Sequence, residues 1–197
     1  MTTTSDQALR VRSDNTHKPN ALQIFHVNIN CSNLERSRAF YEAIGFKVVN
    51  DFSATAAGGT SRTFAEIGLA PMLNLPADCD ARALLLALTD HPHATRLDLI
   101  EWITPKSASA PRGDLARLGF GRLCLKVRDC QPIYDGLVAG GWTVYSPPML
   151  IDMGGTQQLC FCCEDPDGVV VEFMQFLRPR APGGRKRDEA MTTGPQG

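Results

Sequence analysis

The chain has 197 residues, 43% of them hydrophobic, and a formal net charge of -1. That is enough apolar material for one core or two small packed units, and the near-neutral balance gives no electrostatic reason to expect nucleic acid or an anionic membrane as partner. No apolar run approaches the roughly 20 residues that span a bilayer, and the first residues lack a basic-then-apolar secretory pattern, so the cytoplasm is the expected compartment.

Residues 1–20 are polar and aperiodic and read as a disordered tail. A first module, 21–110, opens on an alternating strand in which Phe25, Val27, Ile29 and Cys31 face one way and His26, Asn28 and Asn30 the other. A helix follows. Ser32 and Glu35 have capping-box spacing, Leu34, Phe40, Tyr41 and Ile44 supply apolar contacts, and Gly45 stops it. Three further strands are predicted near 46–52, 61–68 and 97–103. Residues 69–96 read as an insertion, either a lid over the site or a short helix beside the sheet.

The second module, 111–177, repeats the design. Leu123, Leu125 and Val127 oppose Arg122, Cys124 and Lys126 on its opening strand. Its helix runs from Asp129 as N-cap to Gly140-Gly141, and strands are predicted near 142–146, 157–163 and 169–176. Residues 178–197 read as a basic, solvated tail.

The repeat is the most informative feature. A shift of 96 residues lays His26 on Arg122, Asn33 on Asp129, Gly45 on Gly141 and Val48 on Val144 without a gap. Each copy returns an apolar strand carrying an acid, Leu97-Asp98-Leu99-Ile100-Glu101-Trp102 and Val169-Val170-Val171-Glu172-Phe173. Two similar units that face each other bring comparable positions to one site, here His26, Glu101, Arg122 and Glu172. A carboxylate in such an apolar strand costs several kcal/mol if buried alone, so Glu101 and Glu172 must meet a metal, an arginine or water. Arg122 either pairs with one of these acids or binds a substrate anion. His26 is either a ligand or an ordinary strand histidine.

There are seven cysteines, three of them (Cys160, Cys162, Cys163) on one predicted strand. Cys160 and Cys162 share a face and Cys163 takes the other. No CxxC pair supports a zinc site, so reduced thiols acting as small hydrophobes are expected.

The βαβββ repeat, the run Phe40-Tyr41-Glu42-x-x-Gly45-Phe46 and the run Asp165-Pro166-Asp167-Gly168-x-x-x-Glu172 together resemble the vicinal-oxygen-chelate superfamily over residues 22–177. This superfamily includes glyoxalase I, methylmalonyl-CoA epimerase, extradiol dioxygenases and bleomycin-resistance proteins. The resemblance implies an α+β fold of two paired βαβββ modules, forming a curved eight-stranded sheet, a cup, with helices outside. It implies a divalent metal (Zn, Mn, Fe, Co or Ni) on His26, Glu101 and Glu172, and no organic cofactor. Glu172 or Glu101 would be the catalytic base for an enediolate or enolate, giving a lyase or isomerase of the glyoxalase or epimerase type. Arg122, Gln158, Trp102 and Asn28 would bind the substrate. Arg122 departs from the metal-binding pattern, since a guanidinium does not ligate. That keeps open a metal-free binding protein of the bleomycin-resistance type and disfavours a dioxygenase, which needs a second histidine ligand. The expected partner is a small molecule, on a monomer or homodimer.

Overall fold

The computed structural model describes residues 21–52, 66, 68–106, 115, 116, 118–152 and 156–177. Both predicted tails lie outside the described residues. The chain forms β1 (His26–Asn30), α1 (Leu34–Ala43), β2 (Lys47–Asp51), α2 (Leu69–Met72), β3 (Asp80–Ala87) and β4 (Arg96–Thr104), then β5 (Leu123–Val127), α3 (Gln131–Ala139), β6 (Met149–Asp152), β7 (Gln157–Glu164) and β8 (Val170–Phe176). Two βαβββ modules pair as the repeat implies. Hydrogen bonding divides their strands into two four-stranded sheets, β1-β4-β3-β2 and β5-β8-β7-β6. In each, the first strand runs parallel to the last and the remaining pairs are antiparallel.

The alternation on β1 holds at Ile29 and Cys31, which are buried, and in part at Val27, whereas Phe25 precedes the strand and is 53% exposed. Ile29 is buried with Leu84, Leu86, Leu97 and Leu99 beneath Leu34, Phe40 and Tyr41 of α1 and Ile44 at its C-cap. The same cluster continues through Leu125, Leu137, Phe161, Val171 and Phe173 of the second module, so the modules share one core. Three polar links cross between them. Tyr41 donates its hydroxyl to Asp165 Oδ2 at 3.0 Å, and Ser32 donates its backbone N–H to Asp167 Oδ2 at 2.8 Å and its hydroxyl to Asp167 Oδ1 at 2.5 Å. Phe40 and Trp142 meet edge to face with centroids 5.2 Å apart.

The turn that receives these links is self-braced. Asp165 Oδ1 accepts from the backbone N–H of Asp167 at 2.9 Å and of Val169 at 2.8 Å. Gly168 sits at φ 87°, a region an L side chain resists. Asp165 is nearly fully buried, and burial raises its pKa against the lowering effect of these bonds and of Tyr41.

The structure corrects four local expectations. Most of the strand expected at 61–68 lies outside the described residues, and a strand of the first sheet runs over Asp80–Ala87, inside the 69–96 stretch read as an insertion. Its Arg-Ala-Leu-Leu-Leu-Ala run does not alternate because both faces are covered, Leu84 and Leu86 by α1 and Ala81 and Ala83 by the α2 segment. The strand expected at 142–146 lies at Met149–Asp152, and Val144 keeps only an isolated bridge to Cys163. Asn33, not Ser32, caps α1, accepting from Arg36 N at 2.8 Å. Glu35 is drawn to Arg82 instead of closing a capping box. Cys130 stands at the N-cap of α3, with Asp129 beside it accepting from Gln131 N.

Candidate functional site

Strand register decides which side chains share the face turned away from the helices. In the first sheet His26 pairs with Arg96, Asn28 with Asp98 and Asn30 with Ile100. Paired residues project to the same side. Since Ile29, Leu97 and Leu99 face α1, the residues His26, Asn28 and Asp98 face the other way. Two contacts agree: Asn28 donates to Asp98 Oδ2 at 2.9 Å, and Trp102 Nε1 donates to Asn30 Oδ1 at 2.9 Å. In the second sheet Cys124 pairs with Glu172 and Cys162 with Glu172, while Phe161 and Phe173 stack in the core. Arg122, Cys124, Glu172, Cys162 and Cys160 therefore share the inner face.

Glu101 belongs to the other side. Its Oε2 accepts from Leu34 N at 3.0 Å, at the start of α1, and it is ion-paired with Arg82, which also holds Glu35 at 2.6 Å. The structure therefore does not bring Glu101 together with His26. The acid on the inner face of β4 is Asp98, which sequence reasoning passed over. The signal was present in the repeat, since Asp98 stands to Asn28 as Glu172 stands to Cys124, two residues beyond His26 and Arg122 respectively.

Asp98 carries an unusual electrostatic load. Oδ1 is buried and has no hydrogen-bond partner among the described residues. Burial raises its pKa, opposed by the charge of His26 and the bond from Asn28. Glu172 is in the opposite condition. Arg122 Nε donates to its Oε2 at 2.7 Å, with the Glu172 side chain 13% exposed and that of Arg122 48% exposed. The Cys124 thiol also bonds to Glu172, and its pKa rises to about 11, chiefly through burial. Gln158 is 2% exposed. Its Nε2 donates to Thr156 at 2.7 Å and its Oε1 is buried without a partner among the described residues. Trp102 packs with Ile100, Ala81 and the α2 segment, which covers part of the inner face of the first sheet.

The arrangement is a poor match to a resident divalent metal. His26 and Asp98 offer one imidazole and one free carboxylate oxygen. Glu172 is neutralised by Arg122, Glu101 is on the helix side, and among the described residues no three His, Cys, Asp or Glu side chains gather in a metal-holding group. A catalytic zinc centre uses three protein ligands, which these positions do not supply.

The sequence pattern of the Glyoxalase/Bleomycin resistance protein/Dioxygenase superfamily matches residues 23–173. The chain belongs to that superfamily. Solved structures agree on the fold. A glyoxalase family protein from Bacillus cereus is 17% identical, with a TM-score of 0.65 over 82% of this chain and 98% of its own. The trypanothione-dependent glyoxalase I of Leishmania major is 17% identical, with a TM-score of 0.52 over 79% of this chain and 87% of its own. A glyoxalase family protein from Enterococcus faecalis is 22% identical, with a TM-score of 0.52 over 78% and 97%. No curated protein sequence matches the chain. Within the superfamily fold, the inner faces of the two modules carry His26 with Asp98 and Arg122 with Glu172 as equivalent pairs. No helix among the described residues is long and apolar enough to cross a membrane.

Proposed function

We propose that this superfamily member is a small-molecule enzyme of the lyase or isomerase class that moves a proton on a carbon beside a carbonyl group. The observation that supports this reading is the Oδ1 of Asp98, buried and without a partner among the described residues, on the inner sheet face with His26. A carboxylate whose pKa burial has raised holds an abstracted proton better than an ordinary surface acid does, which suits it to general base work. Asn28 fixes the Asp98 carboxyl through Oδ2, and Oδ1 is without a partner among the described residues, so it is the oxygen that would take the proton. Against the upward push of burial, His26 and the bond from Asn28 both favour the ionised acid.

Arg122 is assigned the substrate's anionic group. Its side chain is half exposed and already organised by Glu172, and a guanidinium matches a carboxylate or phosphate with paired N–H donors. The metal-dependent glyoxalase I form of this chemistry draws no support from the ligand set, so proton transfer is given to the side chains alone. A second reading, a binding protein of the bleomycin-resistance type, is favoured by the Arg122–Glu172 ion pair, which closes one of the two equivalent acid positions.

The test is hydrogen exchange at substrate carbon. The full chain is incubated in deuterated buffer with a panel of 2-hydroxy and 2-oxo carboxylates and their thioesters, and loss of the C–H signal is followed by proton NMR. Exchange on at least one compound, falling by about 10²–10⁴-fold in Asp98→Asn with ligand affinity kept, is the expected result. Exchange at the wild-type rate in Asp98→Asn refutes the assignment. Tight binding with no exchange on any compound makes the protein a binder.

A further inference from the structure

The inner face of the second sheet is rich in sulfur, and neither the fold nor the proposed proton transfer accounts for that. Register places Cys160 of β7 between Met149 of β6 and Met174 of β8, each its direct cross-strand partner. Neighbouring strands lie about 5 Å apart and such partners project together, so one thiol sits within side-chain reach of a thioether on either side. The row is open to solvent at one end, since Met149 is 56% exposed, while Cys160 and Met174 are half-buried. Cys160 shares the face with Glu172, since its partner Met174 lies two residues from Glu172 on β8.

The adjacent row differs. There Glu172 separates Cys124 from Cys162, and Arg122 and the Cys124 thiol already occupy it. Lys126, the cation opposite Met174, turns its ammonium over the Phe176 ring at 5.1 Å from the centroid. The Met149–Cys160–Met174 row thus has three soft donors and one labile proton, and Lys126 beside it is directed elsewhere. Thiolate with thioether selects soft cations such as Cu(I) over Zn²⁺ or Mg²⁺. Thioethers are long and adaptable enough to converge on a common ion.

We propose that Met149, Cys160 and Met174 form a binding site for a soft monovalent cation of the Cu(I) class, held by one thiolate and two thioethers. On binding, the Cys160 S–H bond breaks, a sulfur–copper bond forms and the proton passes to solvent. The ion enters as Cu(I) from a carrier ligand, so no oxidant or reductant takes part. One positive ion on one thiolate leaves the site neutral, which suits a half-buried sheet face.

The experiment is anaerobic competition of the full chain with bicinchoninate for Cu(I), with X-ray absorption at the copper edge. Wild-type protein should withhold one equivalent, in a shell of sulfur only. The double variant Met149→Leu with Met174→Leu keeps side-chain volume and apolar character and should lose affinity by on the order of tenfold or more. Cys160→Ser should abolish the site, and Cys124→Ser with Cys162→Ser should leave it within about twofold. Zn²⁺ offered at the same concentration should not compete. The proposal falls if wild-type protein withholds no copper. It also falls if the double methionine variant binds as wild type does, or if loss follows Cys124 and Cys162 instead. Should Cys160→Ser fail to fold, the methionine variant alone decides.

Discussion

Replacing Glu101 by alanine separates a structural acid from a catalytic one. The carboxylate accepts a hydrogen bond from Leu34 N at 3.0 Å, one of the backbone donors that the first turn of α1 leaves without a helical partner. A bond from such a donor to a charged acceptor is worth about 1.5–3 kcal/mol. The helix dipole acts through the same contact and is not added to it. The ion pair with Arg82 adds less, because that side chain is 35% exposed and keeps Glu35 as a second partner. The expected loss is therefore about 2–3 kcal/mol, or roughly 5–10 °C in melting temperature for a chain of this size. Urea denaturation followed by circular dichroism measures it, with Glu35→Ala as the surface control at under about 0.5 kcal/mol. Proton exchange on a turned-over compound should persist in the folded fraction of Glu101→Ala. A variant as stable as wild type but inert would place Glu101 in the chemistry and overturn the face assignment on which the site is built.

Two further outcomes follow from the same contacts. Tyr41→Phe removes the hydroxyl that donates to the buried Asp165, costing about 1–3 kcal/mol at neutral pH. Because the folded-state pKa of Asp165 is raised above its unfolded value, its ionised form is a burden on the fold. That burden lifts as pH falls through the folded pKa, so the deficit of Tyr41→Phe should shrink under acid in paired denaturation curves. A constant deficit across pH 4–8 (about the carboxylate-to-histidine range) would contradict the coupling. Arg122→Ala should weaken a carboxylate ligand by about 1.5–3 kcal/mol, roughly 10–150-fold by calorimetry, and unchanged affinity would show that the guanidinium does not meet the ligand.

The paired modules were legible because the repeat is gap-free and its punctuation is local: Gly45 and Gly141 end equivalent helices, and Gly168 closes the turn before Glu172. The acid on β4 was not. Leu97-Asp98-Leu99-Ile100-Glu101-Trp102 has apolar side chains on both faces, because α1 covers one and the α2 segment the other, so alternation alone gives no direction. Only register against β1 separates Asp98 from Glu101. The same double coverage hid β3, which looks like an apolar insertion when read along the chain. Ser32 and Glu35 misled for a different reason. Their spacing is that of a cap, yet tertiary partners, Asp167 and Arg82, outbid the local bonds. Arg122 and Glu172 were correctly placed on one face because Val171 and Phe173 leave no doubt which side is core.

The links from Ser32 and Tyr41 to the Asp165–Asp167 turn have a consequence for how the molecule comes apart. The first helix of one half is pinned to the last hairpin of the other, across more than a hundred residues of sequence. Neither repeat can loosen alone without stripping Tyr41 and Phe40 of partners supplied by its sibling. The chain should therefore open as one cooperative unit rather than as two beads on a string. The slowest amides to exchange should be shared between α1 and the β7–β8 hairpin. A protein assembled from two copies of one motif is thus expected to behave, thermodynamically, as an indivisible whole.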